Sequence, residues 1–386
     1  MQSAARIGFS RLLSRYAVNA NSLPAADQAI RLTAGDPDAH RARAVVLTRL
    51  RYFAEAEASL ETAATLRPGQ ASLWLALGNT REELADNEGA LAALNEAVRA
   101  APYYGQTHWQ RGNLLLRMGR NDEAIADLRL AAASDRRLLP AFMDLAWGLS
   151  GGVAKYTADL IQLNNDQDRL EFARFLARKG KGSDVVDQVR LLNTPLSEEN
   201  KEELTKLLVG SSNYRDAFGL WNRTAGSQGI VNGGFEEPLA FKNANFGWVF
   251  AEAQAKVKFA VDVSERFSDA KSLQVTFNGE WNPDALSQTI VLAPGRYRIT
   301  FAAKTKELVT GAPLRMAVTN ATNNQMIGSS EAFPPASESW QVLGVEFAVP
   351  ADAEAVKLRF ARDTCVSAPC PIFGVVWLDD FSLQKL

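Results

Sequence analysis

Thiol or imidazole chemistry in this chain would have to use two cysteines and two histidines among 386 residues. Cys365 and Cys370 have four residues between them, in Thr364-Cys-Val-Ser-Ala-Pro-Cys-Pro371. A zinc site would need further Cys or His ligands, and His40 and His108 lie in the other half of the chain. The pair reads either as two neighbouring free thiols or as a local disulfide closing a tight turn between strands. The disulfide is favoured, and it implies an oxidising compartment. Carboxylates are numerous, but no two can be given acid and base roles from sequence. With no credible base or nucleophile, the chain is expected to recognise rather than to catalyse.

Composition narrows the partners. The chain has room for two or three domains, and its 47% hydrophobic and 22% charged residues are those of a globular protein. A net charge of −2 creates no general field for nucleic acid, so no nucleic-acid partner is expected. No apolar stretch is long enough to span a bilayer. Arg6, Arg11 and Arg15 interleave with Ile7, Phe9, Leu12, Leu13 and Val18, which breaks up the apolar core that a secretory signal needs. This segment is expected to be a first solvent-facing helix; its alternative is the stub of an anchor or signal whose upstream part is missing. A membrane partner is expected only in that second case.

The elements that position these residues change near residue 225. Before it, apolar and small residues recur with helical spacing and a period of 34. Trp74, Leu77, Gly78, Ala90, Leu94, Ala97 and Pro102 have counterparts at His108, Gly112, Ala124, Leu128 and Ala131, and at His40, Ala44, Ala56, Leu60, Ala63 and Pro68. This spacing resembles the tetratricopeptide repeat. Small residues let paired helices approach, large ones fill the space beside them, and Pro stops the second helix. Both histidines fall in the slot of Trp74, which makes them packing residues. From Leu139 to about Ala225 the helical pattern persists while the signature decays, as capping repeats do. The resemblance implies a concave groove that holds a protein partner. Asn79 and Asn113 recur in register on its candidate lining, where an Asn either hydrogen-bonds a peptide backbone or is simply solvated.

After residue 225 the period becomes two. Val257, Phe259, Val261 and Val263 alternate, as do Leu273, Val275 and Phe277, then Tyr297, Ile299, Phe301 and Ala303, and later Val356, Leu358 and Phe360. Eight or nine such runs predict a two-sheet antiparallel sandwich. Asn232-Gly-Gly-Phe-Glu236, Phe246-Gly247-Trp248, Ser272-Leu-Gln-Val275, Leu292 to Ile299 and Trp377-Leu-Asp-Asp-Phe-Ser-Leu383 are similar in order to galactose-binding-like and carbohydrate-binding-module jelly rolls. That resemblance implies a glycan ligand, with a polysaccharide as partner, held by stacking on an aromatic ring. Trp281, in Asn278-Gly-Glu-Trp-Asn-Pro283, has the most loop-like polar surroundings and is the candidate; Trp248, Trp340 and Trp377 read as core. The resemblance also implies a structural calcium between Glu236 and Asp380; no other cofactor is expected.

The expected fold class is therefore an α-solenoid of helical hairpins followed by an antiparallel jelly roll. Its segments are a basic amphipathic terminus (1–21), a repeat array (22–138), a degenerate helical extension (139–225) and the sandwich (226–386). The combination resembles bacterial envelope proteins associated with polysaccharide assembly and export. It implies a periplasmic or cell-envelope adaptor, with a purely protein-binding scaffold and a glycoside-acting enzyme as alternatives.

Overall fold

The computed structural model describes residues 2–221, 229–239, 245–250, 257–279, 285–365 and 370–386. They form two compact units, Met1–Asn164 and Asn165–Leu386. The first is built of helices α1 (Gln2–Ala20), α2 (Leu23–Leu32), α3 (Pro37–Arg49), α4 (Phe53–Leu66), α5 (Ala71–Glu83), α6 (Asn87–Ala100), α7 (Gly105–Arg117), α8 (Asn121–Ser134), α9 (Leu139–Leu149) and α10 (Ala154–Ile161). Consecutive helices pair as hairpins. Chain starts are set locally: Asp36 caps α3, which has Pro at its start, and Asp86 accepts the Gly89 amide at the start of α6.

The 34-residue period has a direct steric cause. A Cβ added at Gly78 would lie 2.8 Å from Leu94 Cγ, and one at Gly112 would lie 2.9 Å from Leu128 Cγ. In these two hairpins, glycine lets the helices meet this closely. The slot shared by the histidines is equally regular. Trp74 Nε1–H donates to the Pro68 carbonyl at 2.8 Å, and His40 Nε2 and His108 Nε2 reach the carbonyls of Ala34 and Pro102 at the same distance. In each repeat a ring nitrogen holds the loop six residues before it.

The same register reaches one unit further back than the signature did. Ser10 stands 34 residues before Ala44; it is fully buried, and its hydroxyl donates to the Ala29 carbonyl at 2.9 Å. Helix α1 packs on α2 and α3 and so supplies the first helix of a further hairpin.

The second unit begins with α11 (Asp166–Arg178), α12 (Gly182–Arg190), α13 (Glu198–Gly210) and α14 (Tyr214–Trp221). Ten strands follow: β1 (Trp248–Phe250), β2 (Val257–Asp262), β3 (Ser272–Asn278), β4 (Leu286–Val291), β5 (Gly295–Thr310), β6 (Leu314–Asn320), β7 (Met326–Ser329), β8 (Gln341–Val349), β9 (Ala355–Arg362) and β10 (Ile372–Lys385). They make two five-stranded antiparallel sheets, ordered β1-β4-β9-β6-β7 and β2-β3-β10-β5-β8. Their facing sides bury one core that includes Phe235, Trp248, Phe277, Phe301, Phe360 and Phe381. The sandwich predicted from alternation is therefore present.

Two further contacts organise this unit. Gly233 lies against β10, where a Cβ would come within 2.2 Å of the Phe381 carbonyl oxygen, while the Phe381 amide donates to the Gly233 carbonyl. The opening and closing motifs thus meet. Helix α14 docks on the sandwich: Phe218 and Trp221 pack on Phe246 at 5.1 and 5.6 Å between ring centroids, and Tyr214 Oη donates to the Ala321 carbonyl at 3.0 Å. The change of period near residue 225 separates helix from strand, while the compact units part at Asn164.

Candidate functional site

In the helical unit, the first helices of the hairpins share one face. Positions 34 apart along it are Arg11, Val45, Asn79 and Asn113. Between α3 and α5 lies a cleft of 370 Å³ whose walls include Arg41, Val45, Thr48, Ala76, Asn79 and Glu83. Its floor is apolar, formed by the buried Ala44 and Leu60. A second cleft of 390 Å³ joins it at Arg41 and is lined by Arg11, Ser14, Arg15 and Asp38. Arg41 is exposed and makes no hydrogen bond or ion pair among the described residues. An apolar floor beneath uncommitted polar walls can take an extended or helical segment through its side chains and backbone.

The two candidate asparagines differ. Asn79 is exposed on the first cleft. Asn113 is half-buried, and its Nδ2 donates to the Trp109 carbonyl one helical turn earlier at 2.7 Å. Its oxygen and its second amide hydrogen are left for a ligand.

The histidines are engaged structurally. His108 is buried with Nδ1 2.9 Å from Asp127 Oδ1, and Arg111 donates to both oxygens of that carboxylate at 2.6 and 2.7 Å. Arg111 also donates to Asn95 on the preceding hairpin. Arg43, two repeats earlier, bridges Asp27 and Ser59 in the same way. These arginine ties between hairpins were not anticipated from sequence, although their spacing of 68 residues was readable.

In the sandwich, Trp281 lies outside the described residues. Trp248 and Trp377 are buried, and Trp377 Nε1–H donates to Asp262 Oδ2 at 2.9 Å. Burial pushes the Asp262 carboxyl up, but this bond and the amides of Ser264 and Glu265 outweigh it and leave the group lowered. Asp379, fully buried, accepts the Phe267 and Ser268 amides and so draws the segment after β2 across the second sheet. That segment carries Phe267, which is 43% exposed and lies 6.1 Å from the half-buried Trp340 ring, tilted by 54°. Near them, Lys304 Nζ pairs with Glu265 at 2.8 Å, and Lys304 is the register partner of Trp377. The structure therefore offers an aromatic pair, one ring exposed and one half-buried, with an ion pair close by, where the sequence points to core at Trp340 and gives no signal at Phe267.

Glu236 and Asp380 do not fit a calcium site. Glu236 Oε1 accepts the Ala270 and Lys271 amides, and the Lys271 ammonium already donates to the Glu236 carbonyl oxygen. Asp380 is exposed. Among the described residues, no three His, Cys, Asp or Glu side chains converge as a metal-binding group. Cys365 and Cys370 are joined as a disulfide, and Arg362 donates to the Cys370 carbonyl at 3.0 Å.

The tetratricopeptide-repeat family model matches residues 71–104 and 105–137, in the register that Gly78 and Gly112 define. With the hairpin geometry above, this makes the first unit a tetratricopeptide-repeat solenoid, joined to a chain that ends in an antiparallel sandwich. No curated protein matches it in sequence. Among solved structures it is similar to MamA from Desulfovibrio magneticus RS-1, at 17% identity and a TM-score of 0.35, covering 41% of this chain and 94% of that one. It is also similar to YrrB, described as a TPR protein with an unusual peptide-binding site, at 21% identity and 0.34, covering 41% and 86%. A structure described as CBM4 matches at 20% identity and 0.31, covering 41% and 99%.

Proposed function

We propose that the protein is a non-catalytic adaptor of the bacterial cell envelope that holds a protein partner in the repeat groove and a glycan on the sandwich. Its place would be in polysaccharide assembly or export. The observation that carries this reading is the cleft between α3 and α5, where Arg41 and Asn79 stand uncommitted above an apolar floor. The glycan limb is supported by the Phe267–Trp340 pair beside Lys304 and Glu265, since a sugar needs an aromatic face and polar groups at its rim. The disulfide supports an oxidising compartment.

Glycan-array screening of the full chain beside a Phe267→Ala/Trp340→Ala variant tests the second limb. One saccharide class should bind the wild type and be lost in the variant. Silence across a broad bacterial polysaccharide panel would reduce the protein to a scaffold for proteins alone. If Cys365 and Cys370 both alkylate freely in protein taken from intact cells, the envelope assignment fails.

A further inference from the structure

A helix face that no hairpin of a repeat stack covers is normally polar. Helix α1 departs from this. One side of it, with Ser10, Ser14 and Ala17, is buried. The other exposes Phe9 (55%), Leu12 (61%) and Tyr16 (59%). Steps of three and four place these three on one stripe, about 10 Å long at the rise of a helix. Leu12 stands in register with Val46, Thr80 and Leu114. Each of those is buried, at 0%, 4% and 0% exposure, so Leu12 occupies a covered position of the inner hairpins and is left bare.

The charges around the stripe identify what suits it. At 100° per residue, Arg6 and Arg15 border the stripe on opposite sides. Neither makes a hydrogen bond or ion pair among the described residues, whereas Arg11, turned away from the stripe, pairs with Asp36. No Asp or Glu occurs before Asp27. We propose that this face of α1 lies on an anionic lipid surface, with Phe9, Leu12 and Tyr16 in the headgroup–acyl boundary and Arg6 and Arg15 on lipid phosphates. A second copy of the chain suits the face less well, because it would bring the same arginines and no carboxylate.

Vesicle flotation of the full chain tests this. Binding is expected to phosphatidylcholine vesicles containing phosphatidylglycerol, weak or absent with pure phosphatidylcholine, and reduced by salt. Leu12→Glu should weaken it about tenfold or more, the loss expected when a Leu no longer leaves water. Arg6→Gln/Arg15→Gln should weaken binding and remove most of its salt dependence. All these side chains are exposed, so unchanged circular dichroism and melting temperature serve as the folding control. Equal binding to neutral and anionic vesicles would overturn the proposal. So would absence of flotation, or a Leu12→Glu-sensitive dimer in light scattering without vesicle binding. Groove and glycan variants should leave flotation unchanged, which keeps this test separate from the adaptor reading.

Discussion

Replacing Gly112 by valine puts side-chain atoms where α7 and α8 are in contact. The first added atom alone would stand 2.9 Å from Leu128 Cγ, 3.1 Å from its Cδ2 and 3.2 Å from the Ala124 carbonyl oxygen. The leucine can shift, but the carbonyl belongs to the backbone of α8 and cannot move without opening the hairpin. Overpacking of this kind costs about 1–3 kcal/mol. In a unit of this size that lowers the melting temperature by roughly 3–10 °C. Gly148 in α9 is the internal contrast, because a Cβ there meets nothing within 4 Å. Gly148→Ala removes only the backbone freedom of glycine and should stabilise by about 0.5–1 kcal/mol. Calorimetry of the full chain should therefore show the two substitutions moving the transition of the helical unit in opposite directions. A Gly112→Val melting temperature equal to or above that of the wild type would refute the claim that close approach fixes the small residue in this register.

Asp127→Ala strips the carboxylate from Arg111 and His108 and should cost about 2–4 kcal/mol, because it leaves a half-buried guanidinium without its partner; denaturant unfolding checks this, and a loss below 1 kcal/mol would contradict it. Phe218→Ala should undock α14 from Phe246 and speed amide exchange in residues 214–221 ahead of the strands; unaltered exchange would show that the ring contact does not hold the helix. Burial pushes the Asp379 carboxyl up, so its contribution to stability is fully present below the unfolded carboxylate range and is lost as pH rises through the raised value. Relative to Asp379→Asn, the wild type should lose stability as pH climbs from about 4 towards neutrality, and a difference independent of pH would count against this.

Much of the fold was legible because steric rules repeat. Gly78 and Gly112 have the same leucine 16 residues on, and the slot at 40, 74 and 108 carries a nitrogen-bearing ring in three successive repeats, so spacing alone placed these side chains. Ser10 continued the register but was hidden, since a serine in a small-residue slot among arginines resembles a solvent-facing segment. The union of α14 with the sandwich was not readable, because periodicity reports how a helix is patterned and not which neighbour covers its aromatic side. The candidate site was legible in its helix face and less so in its chemistry. Asn79 and Asn113 share a register, yet a bond to the Trp109 carbonyl takes up one of the two Asn113 amide hydrogens. The Phe267–Trp340 pair joins residues 73 positions apart, brought together by the Asp379 carboxylate, which no local pattern announces. The resemblance that suggested calcium at Glu236 and Asp380 carried no information about Lys271, whose ammonium meets the Glu236 carbonyl.

The central claim, that the face of α3 and α5 holds a protein partner, is tested most directly by selecting a displayed peptide library on the full chain. Recovered peptides are then titrated against the wild type and Val45→Glu/Asn79→Arg. A shared sequence pattern should emerge, and the variant should bind it at least about tenfold more weakly, the size of effect expected where charges are added to the walls of a cleft that a peptide must fill. Selection of no common pattern, or peptides that bind the variant as tightly as the wild type, would contradict the account.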